Sequence, residues 1–110
     1  MIVYDTANRL ASEIKSSEEY ANFKMAKQAI NLNSDLKNKL EEFEKARYEE
    51  QISMMQTGKQ DEEKMKKVQE IYIELMEIDE ARKYFDAELK FNILIGDVNK
   101  IIAEAVKDLI

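Results

Sequence analysis

Hydrophobic residues recur at three- and four-residue intervals along nearly the whole chain, and most regularly over residues 81–110. There Tyr84, Phe91, Val98 and Ala105 repeat every seven residues, while Ala87, Leu94 and Ile101, and then Ile95, Ile102 and Leu109, fill neighbouring positions on the same helical face. A stripe that broad is what a helix buries against several neighbours, so this segment is expected to be a long C-terminal helix acting as the spine of the fold. On another side of it, Phe85, Leu89 and Ile93 form a second, shorter stripe at i,i+4 spacing, which Gly96 continues.

The earlier part of the chain divides into shorter helical patterns. Asp5 can cap a first helix that presents Ala7, Leu10, Ala11 and Ile14 and ends near Lys15, with Ile2 and Val3 leading in. Ser16 followed by Glu19 reads as a capping box for a second helix, whose stripe runs through Tyr20, Phe23, Ala26 or Lys27, and Ile30. Across 31–34 the run NLNS places amide and hydroxyl groups that compete for backbone hydrogen bonds, and the helix is expected to break there. A third helix then spans about 35–56, strongly apolar at Leu36, Leu40 and Phe43 and more polar afterwards. Gly58 sits where a helix end takes a left-handed residue, and Asp61 can cap a fourth helix over 62–78 bearing Met65, Val68, Tyr72, Leu75 and Met76. Helices three and four therefore predict a long antiparallel hairpin. Asp79 either caps the C-terminal helix or marks a kink in one continuous rod.

Composition supports five helices and no sheet. Proline is absent and glycine occurs only twice among 110 residues, which leaves little turn chemistry for β-hairpins. The length predicts a single all-α domain over 1–110, burying roughly 65% of the surface of its unfolded chain. The longest purely apolar run is Ile93-Leu94-Ile95, far from the ~20 residues that cross a bilayer, and the N-terminus lacks the pattern of a secretory signal. A cytoplasmic protein without membrane insertion is expected.

Reactive chemistry is scarce. There is no histidine and no cysteine, which removes the commonest general base, the thiolate nucleophile and the usual zinc and iron–sulfur ligands. Acidic pairs such as Glu18-Glu19, Glu41-Glu42 and Glu49-Glu50 point in different directions around a helix, as solvated faces do. No phosphate loop or calcium loop is present. The expectation is a protein that is not an enzyme, with no catalytic residue, no cofactor and no metal.

What remains is surface. Met54, Met55 and Met65 straddle the hairpin tip, and methionine adapts readily to a partner, although methionines at helical spacing also pack against one another. The second stripe of the C-terminal helix makes Phe85, Leu89, Ile93 and Gly96 candidates for a homodimer interface. A glycine inside a helix costs about 1 kcal/mol against alanine, which points to close approach by another backbone. The net charge of −6 argues against nucleic acid as the main partner. The alternative reading is RNA binding by a local basic strip of Lys59, Lys64, Lys66 and Lys67 with Tyr72 nearby.

Several blocks resemble a known family: Tyr4-Asp5 with Ala7 and Leu10; Ser17-Glu18-Glu19-Tyr20 with Phe23 and Ala26; Leu40-Glu41-Glu42-Phe43; the Gly58 loop; and Ala87-Glu88 with the run from Leu94 to Ile102. The chain resembles the YlbF/YmcA family of bacterial helical proteins, and within it the YheA-like branch. The resemblance implies an all-helical, oligomer-forming cytoplasmic protein without catalytic residues. It also implies a regulatory or adaptor role, as in relatives that tune an endoribonuclease and so influence mRNA processing, competence, sporulation and biofilm formation. Some relatives carry cysteines linked to iron–sulfur clusters; this chain has none.

Overall fold

The computed structural model describes residues 1–110 and contains five α-helices: α1 (Ile2–Lys15), α2 (Glu18–Asn31), α3 (Ser34–Thr57), α4 (Glu62–Met76) and α5 (Asp79–Val106). Their boundaries follow short-range hydrogen bonding. α1 begins at Ile2, earlier than the Asp5 cap that the pattern predicts, and Asp5 instead lies in the first turn, where its charge suits the helix dipole. Between α1 and α2 the capping serine is Ser17 and not Ser16. Its Oγ donates to the Ile14 carbonyl at 2.6 Å and accepts from the Tyr20 N–H at 3.1 Å, so one hydroxyl closes the first helix and opens the second.

Asn33 opens α3, with its side-chain oxygen accepting from the Leu36 N–H at 3.2 Å. At the other end Gly58 adopts φ +70°, and its N–H donates to the Met54 carbonyl. Asp61 Oδ1 then accepts from the N–H groups of Glu63 and Lys64, at 3.0 and 3.2 Å, and starts α4. The side chain of Arg82 decides the question left open at Asp79. Its guanidinium donates to the Met76 carbonyl at the end of α4 and to Asp79 Oδ1 at the start of α5, so the chain breaks at 77–78.

The chain divides into two compact units, with the divisions falling inside α2 and inside α5. One unit, Gln28–Lys83, holds the hairpin. α3 and α4 pack along each other, and two contacts fix their antiparallel direction. Lys39 Nζ lies 2.5 Å from Glu74, and the rings of Phe43 and Tyr72 lie 5.9 Å apart. Ile30, Leu36, Leu40, Phe43, Ala46, Ile71, Leu75 and Ala81 are buried here. Leu75 is 0% exposed, and removing such a side chain from water contributes about 1.5–3 kcal/mol.

The other unit comprises Met1–Lys27 and Tyr84–Ile110. Its interior is aromatic. Phe23 of α2 stands 5.6 Å from both Tyr84 and Phe91 of α5, and Tyr20 meets Phe91 edge-on at 6.2 Å. Lys27 Nζ lies over the Phe23 ring at 5.1 Å. The stripes of helix two and of the C-terminal helix thus meet, but only over part of α5. Ala87 is buried and Val98 half-buried, whereas Ile101, Ile102, Ala105 and Leu109, placed on the spine by their spacing, are exposed.

Candidate functional site

The residues singled out by the sequence lie on two helical surfaces. Along α5, Leu89 and Ile93 are 59% and 53% exposed, one turn apart, and Gly96 extends the open line. Phe85 differs from these three. It is half-buried, with its ring 5.6 Å from that of Tyr84, so it is partly engaged within its own helix. A methyl group placed at Gly96 would meet no atom within 4 Å, so within the chain no backbone approaches the glycine closely.

At the hairpin tip the three methionines separate. Met55 is 84% exposed and Met54 is also exposed, whereas Met65 is half-buried. Met54 and Met55 end α3 one turn before Gly58, whose left-handed geometry stops the helix and leaves them at its terminus. Thr57 stiffens this end by donating to the Ser53 carbonyl and accepting from the Lys59 N–H. Further back on α3, an open hollow is lined by Glu44, Lys45, Arg47, Tyr48 and Gln51, all from this one helix. The Arg47 guanidinium lies over the Phe43 ring at 5.5 Å and 3.6 Å from Glu44.

The lysines of the basic strip, Lys59, Lys64, Lys66 and Lys67, are all exposed. Acidic groups interleave with them: Glu62 and Glu63 precede Lys64, and Lys66 Nζ lies 4.0 Å from Glu70. Tyr72 turns its ring toward Phe43.

Two groups titrate away from their ordinary values, and both serve the hairpin unit. The hydrogen bond to Glu74 raises the Lys39 ammonium, assisted by the Glu74 charge. The hydrogen bond from Arg82, with the nearby Lys83 charge, lowers the Asp79 carboxyl. The charges of Glu42 and Glu77 add to the effect on Lys39, but no group of three or more carboxylates comes together to hold a metal ion. No helix is long and apolar enough to cross a membrane.

Sequence reasoning assigned one further apolar surface to the interior. None of the residues of α1 is buried, although Val3, Ala7, Leu10 and Ile14 line one face. The C-terminal end of α5 exposes Ile101, Ile102 and Val106, and Leu109 just beyond it is exposed as well. Periodicity found both stripes; it carries no signal that in their own chain the first is covered only in part, at the half-buried Leu10 and Ile14, and the second is exposed.

Comparison with known proteins agrees with this architecture. The chain is 36% identical over 109 residues to a UPF0342 protein of Clostridium novyi, covering 98% of this chain and 95% of the relative. It is 31% identical to a UPF0342 protein of Desulfitobacterium hafniense, covering 100% and 89%. Among solved structures, a protein of unknown function (DUF964) from Bacillus stearothermophilus superposes with a TM-score of 0.85 at 14% identity, covering 99% of this chain and 96% of that one. Bacillus subtilis RicA, solved in complex with RicF, gives 0.65 at 21% identity, covering 96% and 94%. At these identities the structural likeness is one of fold. The family model described as control of competence regulator ComK, YlbF/YmcA, matches residues 3–107, and with a match over nearly the whole length the chain belongs to the YlbF/YmcA family.

Proposed function

We propose that this protein is a non-enzymatic helical adaptor that regulates through protein–protein contact, with residues 1–110 acting as one domain. The observation that carries the reading is the exposure of large apolar side chains on well-capped helices, Leu89 and Ile93 on α5 and Met55 at the end of α3. Exposed apolar residues in such lines mark contact surfaces. In this reading the Phe85, Leu89, Ile93 and Gly96 face joins two copies into a homodimer. Met54 and Met55, with Met65 behind them, meet a protein partner. The family description points to competence as the setting, and the solved complex of RicA with RicF supports a fold that works in assemblies. Control of mRNA processing, sporulation or biofilm formation, and a cytoplasmic location, complete the proposal.

Affinity purification from the native host, comparing the wild type with a Met54→Glu, Met55→Glu variant, tests the partner surface. Recovery of endoribonuclease-associated proteins by the wild type alone, stable to moderate salt, supports it. Recovery of RNA whose yield falls steeply with salt would instead favour the basic strip. Light scattering tests the dimer, and a strict monomer at micromolar concentration removes it.

A further inference from the structure

We propose that α1 of one copy packs on the bare C-terminal end of α5 of a second copy, and reciprocally, so that each chain completes the other's apolar face. The inference rests on the reading that the chain pairs with itself, and it goes further by adding a second pair of surfaces to that contact.

The argument begins with lengths. α5 has 28 residues and is about 42 Å long, whereas α2, which supplies Tyr20 and Phe23 against it, has 14 residues and about 21 Å. One α2 can therefore cover only about half of the α5 stripe. The covered half carries Tyr84, Ala87 and Phe91; beyond the half-buried Val98 the same stripe continues uncovered through Ile101, Ile102 and Leu109. From Val98 to the end of α5 at Val106 about 12 Å remain at 1.5 Å per residue, a length that two turns of α1 can cover. α1 carries the complementary stripe of Val3, Ala7, Leu10 and Ile14, of which Val3 and Ala7 are exposed and Leu10 and Ile14 only half-buried in their own chain.

Area and charge point to a second copy as the occupant. Ile2, Val3 and Tyr4 with Ile101, Ile102, Val106, Leu109 and Ile110 expose on the order of 1,000 Å². A standard interface takes about 800 Å² from each partner. On α1, Arg9 and Lys15 offset Asp5 and Glu13; near the end of the chain, Lys100 and Lys107 offset Glu104 and Asp108. The net charge of −6 therefore resides wholly in residues 16–97, and two copies can meet through these segments without like-charge repulsion. A 14-residue helix without tertiary packing is marginal in water, so its cover must be present whenever the chain is. A second copy meets that condition, and a reciprocal exchange of α1 is a closed two-fold arrangement.

The test uses the full chain in three forms: wild type, an Ile101→Asp, Leu109→Asp variant, and a Leu89→Asp, Ile93→Asp variant. Sedimentation should show a wild-type dimer and at least a 100-fold rise in Kd for the 101/109 variant. A monomeric wild type overturns both this inference and the proposed dimer. A dimer broken by the 89/93 changes but untouched by the 101/109 changes overturns this inference alone. Because the chain has no cysteine, a second measurement mixes two single-cysteine chains, Leu10→Cys and Ile102→Cys, under mild oxidation. Heterodisulfide between the two chains supports the exchange, and formation of homodisulfides only overturns it.

Discussion

The α3–α4 hairpin and the pair of segments formed by α1 and the end of α5 are built from the same kind of amphipathic helix, yet they dispose of their apolar faces differently. In the hairpin, Leu36, Leu40, Phe43 and Ala46 on one helix and Ile71 and Leu75 on the other are all buried within a single chain. On α1 no residue is buried, and past Val98 the stripe of α5 stands in solvent. The hairpin has a four-residue turn that returns the chain onto itself, so its two stripes meet by connectivity. α1 is joined to α2 by only Ser16 and Ser17, yet no residue of α1 is buried. A periodic stripe states that a face needs burial and leaves open whose surface buries it.

The sharpest way to break the comparison is to truncate both regions alike. Leu75→Ala should destabilise the hairpin by about 2–5 kcal/mol, because the cavity forms at a fully buried site. Urea denaturation followed by circular dichroism measures it. Ile101→Ala removes a similar side chain from a site 71% exposed, and should change hydrogen-exchange protection of the hairpin amides by less than about 0.5 kcal/mol while weakening self-association in sedimentation.

Smaller effects separate local geometry from packing. Gly58→Ala forces a side chain into the left-handed region at φ +70° and should cost about 1–2 kcal/mol, all of it in the backbone, since no atom lies within 4 Å of the added methyl group. Asp61→Ala removes two capping hydrogen bonds and should cost about 1 kcal/mol, again read by urea denaturation. Gly96→Ala has the opposite expectation. Inside a helix with open space around it, the change should raise stability of the single chain by about 0.5–1 kcal/mol. If a second copy brings its backbone against Gly96, the same change should weaken the dimer in sedimentation.

The smallest expected effect is on pH dependence. The Asp79 carboxyl is lowered in the folded state by its bond from Arg82, so its contribution is present above the ordinary value of 3.8 and fades as pH falls below it. Lys39 is raised by Glu74, so its contribution is present below 10.5 and is lost as pH climbs past that value. Both groups are solvent-accessible, which limits the gain. Acid titration of Asp79→Asn by circular dichroism should show a flatter stability profile at low pH than the wild type.

Much of the fold was legible because its signals are local. The five helices, Gly58 as a helix end and Asp61 as a cap all depend on groups within four residues of each other. Displacements are instructive. The capping serine moved from Ser16 to Ser17 because one hydroxyl there serves two helix ends, which a pattern that reads each end separately misses. Of the interface candidates, Leu89, Ile93 and Gly96 do lie open along one line, whereas Phe85 turns toward Tyr84 and Met65 is half-buried. Their side chains answer to neighbours that spacing does not show.

By itself the sequence determined an all-helical chain, the order of its helices and the family it belongs to, because hydrophobic period, caps and the absence of proline act over one or two turns. Tertiary structure alone decided that Arg82 separates α4 from α5, that the α2 aromatics reach only part of the α5 stripe, and that α1 with the end of α5 is left uncovered. The physical reason is that burial is a property of two surfaces, and a single helical pattern specifies one of them.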